Sequence, residues 1–236
     1  LNIVDKTTAA TVNTIPLSIS LPHAFGPNGP GFNGLATDPT TGALYGIARL
    51  SGPDIVDGNE NRSLVTINPV TGQVTFVGSM GGAFSSIVFD AAGRLYGSTG
   101  TGDTLLRADA LYTVDKGTGV ATYVMDLYLD PSVDNNGDPR GRAHNLAFNT
   151  DTGFLYHLTF NRFSQIDLVL LTEIPVIVPQ NNLRHHRASS GIVYDAVDDL
   201  FLTPAGGPDN ELWTLTLTSA TTADRRFVDY MGHKTR

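Results

Sequence analysis

The chain has 236 residues, of which 41% are hydrophobic and only 16% charged, and its formal net charge is -8. That length suits one substantial all-β core, and an acidic chain with no Lys/Arg stripe argues against a nucleic-acid partner. The absence of cysteine excludes disulfides, thiolate zinc sites, thiol nucleophiles and iron–sulfur clusters. Typical globular chains carry roughly 25% charged residues. Here Thr, Ser, Asn and Gly fill the surface, a style that points to a secreted or extracellular protein, with periplasm or cell surface as variants. The chain starts at Leu1, so any signal peptide is expected to be gone already. No membrane span is expected: the apolar stretch from Ile166 to Val178 is broken by Asp167, Glu173 and Pro175, short of the ~20 residues a span needs.

In chain order, the first element is a strand–turn–strand, Leu1-Asn2-Ile3-Val4-Asp5-Lys6-Thr7-Thr8-Ala9-Ala10-Thr11-Val12. A second type of hairpin follows, Leu35-Ala36-Thr37-Asp38-Pro39-Thr40-Thr41-Gly42-Ala43-Leu44-Tyr45-Gly46. Pro presets φ in its turn and Gly accepts positive φ. The first type then returns as Leu64-Val65-Thr66-Ile67-Asn68-Pro69-Val70-Thr71-Gly72-Gln73-Val74-Thr75, with period-2 alternation. The pair recurs with anchors Asp90, Asn149 and Asp195, which follow Asp38 at spacings of 52, 59 and 46 residues. Self-similarity of this period in an all-strand pattern predicts an all-β β-propeller with one four-stranded blade per repeat. The expected blades are 32–83, 84–143, 144–188 and 189–231 of a single domain, with a half-blade at 1–20 and a five-bladed ring as a variant. The first strand of each repeat is expected to be the most buried, with Leu35, Ile87, Leu146 and Ile192 or their neighbours in the core.

The repeat resembles the Asp-Pro-x-Thr-Gly-x-Leu-Tyr-Gly blades of bacterial secreted propellers of the YVTN-like and NHL-like class. The resemblance implies architecture and is silent on activity, because propellers host binding proteins, hydrolases, lyases and scaffolds alike. No WD dipeptide, sialidase-type Asp box or kelch double-Gly pattern is present.

Chemistry is expected on the long loops. Asp130, Asp134, Asn136 and Asp138 give an oxygen-rich loop whose spacing suits a hard cation such as Ca2+, or else a turn capped by its own side chains. It lacks the Gly and distal Glu of an EF-hand. The loop at 54–61 has the same flavour. His23, His144 and His185 fall on loops before inner strands, with Arg142 and Arg187 nearby. Converging, they would suit a metal or acid–base chemistry; apart, they would cap loops. His157, where other repeats carry Gly, reads as structural. Two functions stay open. One is a non-enzymatic binding module or building block of an extracellular assembly. The alternative is a propeller enzyme, a metal-assisted hydrolase or lyase, with the His/Arg set as its catalytic residues.

The tally of five hairpins of the first type against four of the second leaves one half-blade without a mate. A bare half-blade exposes a strand edge, a template for association. Three outcomes are open: a homo-oligomer or filament joined through residues 1–20, a longer propeller of which this is part, or an irregular ring.

Overall fold

The computed structural model describes residues 1–20, 22–25, 31–52, 62–100, 106–127, 144–159, 162–178, 191–205 and 211–230. Among them there is no helix, and hence none long and apolar enough to cross a membrane. The strands run β1 (Asn2–Val4), β2 (Thr11–Thr14), β3 (Ser18–Ile19), β4 (Ala24–Phe25), β5 (Phe32–Thr37), β6 (Leu44–Ala48) and β7 (Leu50–Ser51). They continue as β8 (Ser63–Ile67), β9 (Gln73–Ser79), β10 (Phe84–Phe89), β11 (Leu95–Thr99), β12 (Ala110–Val114) and β13 (Ala121–Asp126). The last eight are β14 (Asn145–Asn149), β15 (Phe154–Leu158), β16 (Phe163–Asp167), β17 (Thr172–Val176), β18 (Val193–Asp195), β19 (Leu200–Ala205), β20 (Glu211–Ser219) and β21 (Thr222–Tyr230). The chain has the β-propeller fold: four antiparallel blades built as β5-β6-β8-β9, β10-β11-β12-β13, β14-β15-β16-β17 and β18-β19-β20-β21, with the hairpin β1-β2 besides. Two compact units result, one of residues 15–129 with Leu1, the other of residues 2–14 and 130–236.

Each hairpin turn is set by one side chain. Asp38 Oδ1 accepts from the Thr40 backbone N–H at 2.9 Å, Asp90 Oδ1 from Ala92 at 3.0 Å, Asn149 Oδ1 from Asp151 at 2.9 Å and Asp195 Oδ1 from Val197 at 3.0 Å. The other hairpin type repeats the device with Asn68, Asp115 and Asp167. Asp5 does so too, holding Thr7 and Thr8 at 2.8 and 2.9 Å. These Asx turns close the chain back on itself and leave a later turn residue in the left-handed region. Gly72 and Gly119 take that position at φ +74° and +77°; Ala9 and Leu171 are forced into it at 55° and 52°. By turn chemistry and backbone alike, β1-β2 is an outer hairpin.

In each unit a lysine of an outer hairpin clasps the turn aspartate of the preceding blade. In the first, Lys116 Nζ of the second blade donates to Asp38 Oδ2 of the first at 2.6 Å, and the inner strands β5 and β10 lie side by side. An apolar layer fills the space between these blades, including Ile47, Leu64, Phe84, Ile87, Phe89 and Leu95. Each such side chain contributes about 1.5–3 kcal/mol on burial. In the second unit, Tyr156, Phe163 and Phe201 form the equivalent layer, with ring centroids 4.9–5.3 Å apart. Lys6 of the hairpin β1-β2 bonds Asp195 Oδ2, and Asp198 at 2.8 Å. The hairpin thus meets the fourth blade as the second blade's outer hairpin meets the first.

Burial departs from the expected order. In the second and third blades the middle strands are well covered, with every residue of β11 and four of five in β12, β15 and β16 buried; the first strand β14 matches them, whereas the first strand β5 has no buried residue. Leu35 on the first strand is 45% exposed, whereas Ile87 and Leu146 are buried at 3% and 2%. A middle strand has hydrogen-bonded neighbours on both flanks; a first strand is an edge, covered only where the next blade supplies atoms. Beyond β2 the chain also leaves its hairpin: β3 joins the first blade as a fifth strand, parallel to β9.

Two measurements test this frame. Gly72→Ala is expected to unseat β3 and lower stability by several kcal/mol, on the order of a severe overpacking lesion, because its Cβ would come within 1.8 Å of the Pro16 carbonyl oxygen. Leu171→Gly should instead raise stability by about 0.5 kcal/mol, since a penalty of ~1–2 kcal/mol is relieved against a glycine entropy cost of ~0.5–1 kcal/mol. Urea denaturation reads both. Acid provides the second test. Lys116 and then Thr40 hold the Asp38 carboxyl well below its ordinary value of 3.8. The unfolded chain therefore takes up that proton first, and the stabilisation, complete above about pH 4, is lost as pH falls further. Lys116→Met should show a shallower loss of stability between pH 4 and pH 2 than the parent chain.

Candidate functional site

A buried polar cluster crosses the third blade. His144, immediately before β14, places Nδ1 2.8 Å from Nε2 of His157 on β15, with the ring planes 8° apart. His157 Nδ1 lies 2.8 Å from Glu173 Oε1 on β17, and Ser164 Oγ on β16 donates to Glu173 Oε2 at 3.0 Å. Both histidines and Ser164 are fully buried. One group from each strand position therefore forms a continuous line across the sheet.

Register explains the alignment. Ser164 lies directly opposite His157, while Glu173 falls two residues from Pro175, the partner of Ser164. Period-2 geometry puts all of them on one face. In the first two blades this face is apolar. Phe32 and Phe84 lie against Gly46 and Gly97, where an added Cβ would meet the Phe rings at 3.2 and 2.8 Å. The third blade replaces that Phe-over-Gly contact by a His–His pair, and Glu173 supplies the charge it needs.

The chemistry follows from counting protons. Glu173 accepts from His157 Nδ1–H, and a neutral His157 then accepts at Nε2 from His144 Nδ1–H. A contact of 2.8 Å between two ring nitrogens holds one proton. With His157 neutral, the line places a proton on Nδ1 of both rings and orients the first imidazole through the second.

Of the anticipated site residues, His23 and His144 lie among the described ones. His23 belongs to the first unit, where its ring stacks on Phe76 at 4.2 Å and packs against Gly52. His144 belongs to the second unit and enters the relay. His185, Arg142, Arg187, the oxygen-rich set Asp130, Asp134, Asn136 and Asp138, and the loop at 54–61 (apart from these) lie outside the described residues. No group of three or more His, Cys, Asp or Glu able to hold a metal occurs among the described residues. His157 reads from sequence as structural, and nothing in the local pattern singles out Ser164 or Glu173. The available signal was the paired change, Phe to His before the first strand and Gly to His on the second.

No protein-family model matches the chain, and no curated protein matches it. Solved structures do resemble it in fold. A nidogen/laminin complex chain aligns with a TM-score of 0.54 at 14% identity, covering 84% of this chain and 64% of that one. An auxiliary nutrient binding protein from Bacteroides thetaiotaomicron aligns at 0.56 and 12% identity, covering 89% and 44%. The Malassezia sympodialis allergen Mala s 1 aligns at 0.54 and 10% identity, covering 85% and 64%. The chain spans less than two thirds of each of these proteins, and at such identity the likeness establishes the β-propeller fold.

The relay is testable by substitution. His157→Phe removes the contact that His144 and Glu173 both make with it and should cost about 2–3 kcal/mol. Glu173→Gln keeps an acceptor for His157 and should cost under about 1 kcal/mol. Equal losses for the two variants in chemical denaturation would show that shape, rather than the relay, is what the blade needs.

Proposed function

We propose that this propeller is a non-enzymatic binding module that serves as a building block of an extracellular assembly. The observation that carries this reading is the hairpin β1-β2. Its Asx turn and its lysine clasp are those of an outer blade hairpin, yet among the described residues β1 pairs with β2 alone. Val4 is 37% exposed, whereas Ile67, Val114 and Ile166 at the same turn-relative position are 3%, 5% and 0% exposed. An open strand edge associates with other polypeptide by main-chain hydrogen bonds.

Composition supports the same reading. Neither β1 nor β2 carries a charge or a proline, whereas β17 has Pro175, and β21 has the exposed Asp224 and Arg226. Such residues blunt edges elsewhere in the molecule. The sparse charge suits the extracellular setting, and similar folds occur in a nidogen/laminin complex and in nutrient binding proteins. The buried His144 serves the interior of its blade in this reading, in contrast to an enzyme that would use it against substrate.

Sedimentation velocity over a concentration series tests the proposal. The full chain is expected to associate with rising concentration, and a variant lacking residues 2–14 to remain at its monomer mass. Identical mass distributions for the two at every concentration would overturn the building-block reading.

A further inference from the structure

The edge also specifies what docks on it. We infer that the slot beside β1 takes a blade-opening hairpin offered by another polypeptide, in the register that the complete blades use. This rests on the reading that the β1 edge is an association surface. In the first three blades the partner strand of the β1 equivalent has one chemistry, whereas the fourth sets Phe201 opposite Leu215. Ile67, Val114 and Ile166 face Leu44, Leu95 and Leu155; Thr66, Thr113 and Gln165 face Tyr45, Tyr96 and Tyr156. Transferred to the hairpin, a Leu belongs opposite Val4, a Tyr opposite Ile3 and a small residue opposite Asn2.

The backbone of β1 is ready for that strand. Leu1 and Asp5 direct their groups to the second strand side, bonding Ile15 and Ala10. By alternation Asn2 and Val4 direct theirs outwards, and Ile3 offers the non-hydrogen-bonded position at which side chains come closest.

A second surface marks the same slot. On the first strands, Ala36 packs into the layer between its blade and the next, and so does Ala147. Val193 occupies the equivalent place on β18 of the fourth blade and is 56% exposed. The blade that follows the fourth is the half-blade, as the Lys6 clasp to Asp195 and Asp198 shows. A docked blade-opening hairpin would both extend β1 and cover Val193, as β10 covers Ala36. A generic peptide would do only the first.

The absence of cysteine permits a direct test by disulfide trapping with the full chain and a synthetic peptide of residues 84–99. Directly opposed residues fall within disulfide reach, and a one-residue slip turns the side chain to the other face. Ile3→Cys should trap a peptide carrying Tyr96→Cys at least about tenfold faster than one carrying Leu95→Cys, and Val4→Cys should show the reverse preference. Val193→Lys, at an exposed site, should leave the melting temperature of the free chain unchanged and abolish trapping. Trapping without register preference, or Ile3→Cys chains that link to each other in preference to peptide, would overturn the inference while leaving association through the edge intact. Association that survives deletion of residues 2–14 would instead remove the reading beneath it.

Discussion

The structure depends on what a single carboxylate can do at a hairpin turn. Oδ1 of Asp38 folds back on its own turn, and Oδ2 takes the lysine of the following blade. Asp195 repeats the division, with Val197 on one oxygen and Lys6 on the other. Turn closure sets hairpin register, and register decides which face of each strand is apolar. The same residue then fixes how the next blade's outer hairpin lies against it. Local conformation and blade-to-blade packing are thus coupled through one side chain. Asp38 itself is buried while the Lys116 side chain remains 40% exposed, so the turn hydrogen bonds anchor the carboxylate and the lysine reaches it from solvent.

Against that constant frame, the blades differ in what they place on the inner face. The first and second use a phenylalanine over a glycine, an arrangement that needs no partner beyond contact. The third places four polar groups in the same space, and each must be satisfied because unpaired polar groups in an interior are costly. Their order across the sheet follows from geometry: each strand contributes the residue that its register turns to that face. The consequence is a blade whose strands are tied by side chains as well as by backbone ladders. The fourth blade differs again, with Arg225 lying 3.6 Å over the Trp213 ring and Trp213 donating to Glu211 at 2.7 Å.

The half-blade shows what the repeat does where, among the described residues, β1 pairs with β2 alone. Its turn forms, its lysine finds the neighbouring aspartates, and its backbone pairs correctly with β2. Its apolar residues nonetheless stay in water, since burial in the other blades comes from the second strand and from the facing blade. Turn chemistry is local and forms wherever its residues occur; burial is collective and needs the whole sheet.

The sequence by itself determined the blade architecture. The recurring Asp/Asn, Gly and Leu-Tyr pattern is written into short stretches whose conformations are set by neighbours within five residues, so Asp38, Asp90, Asn149 and Asp195 mark the blades directly. The unequal hairpin count exposed the half-blade for the same reason. Tertiary structure decided which residues meet. His157, Ser164 and Glu173 become one line only once β15, β16 and β17 are paired in register, and Lys6 reaches Asp195 across 189 residues of sequence. It also decided burial: Leu35 and Leu146 hold equivalent positions in the repeat, but one is half exposed and the other buried. Periodicity names the face a side chain lies on, and only the assembled blades determine whether that face is covered.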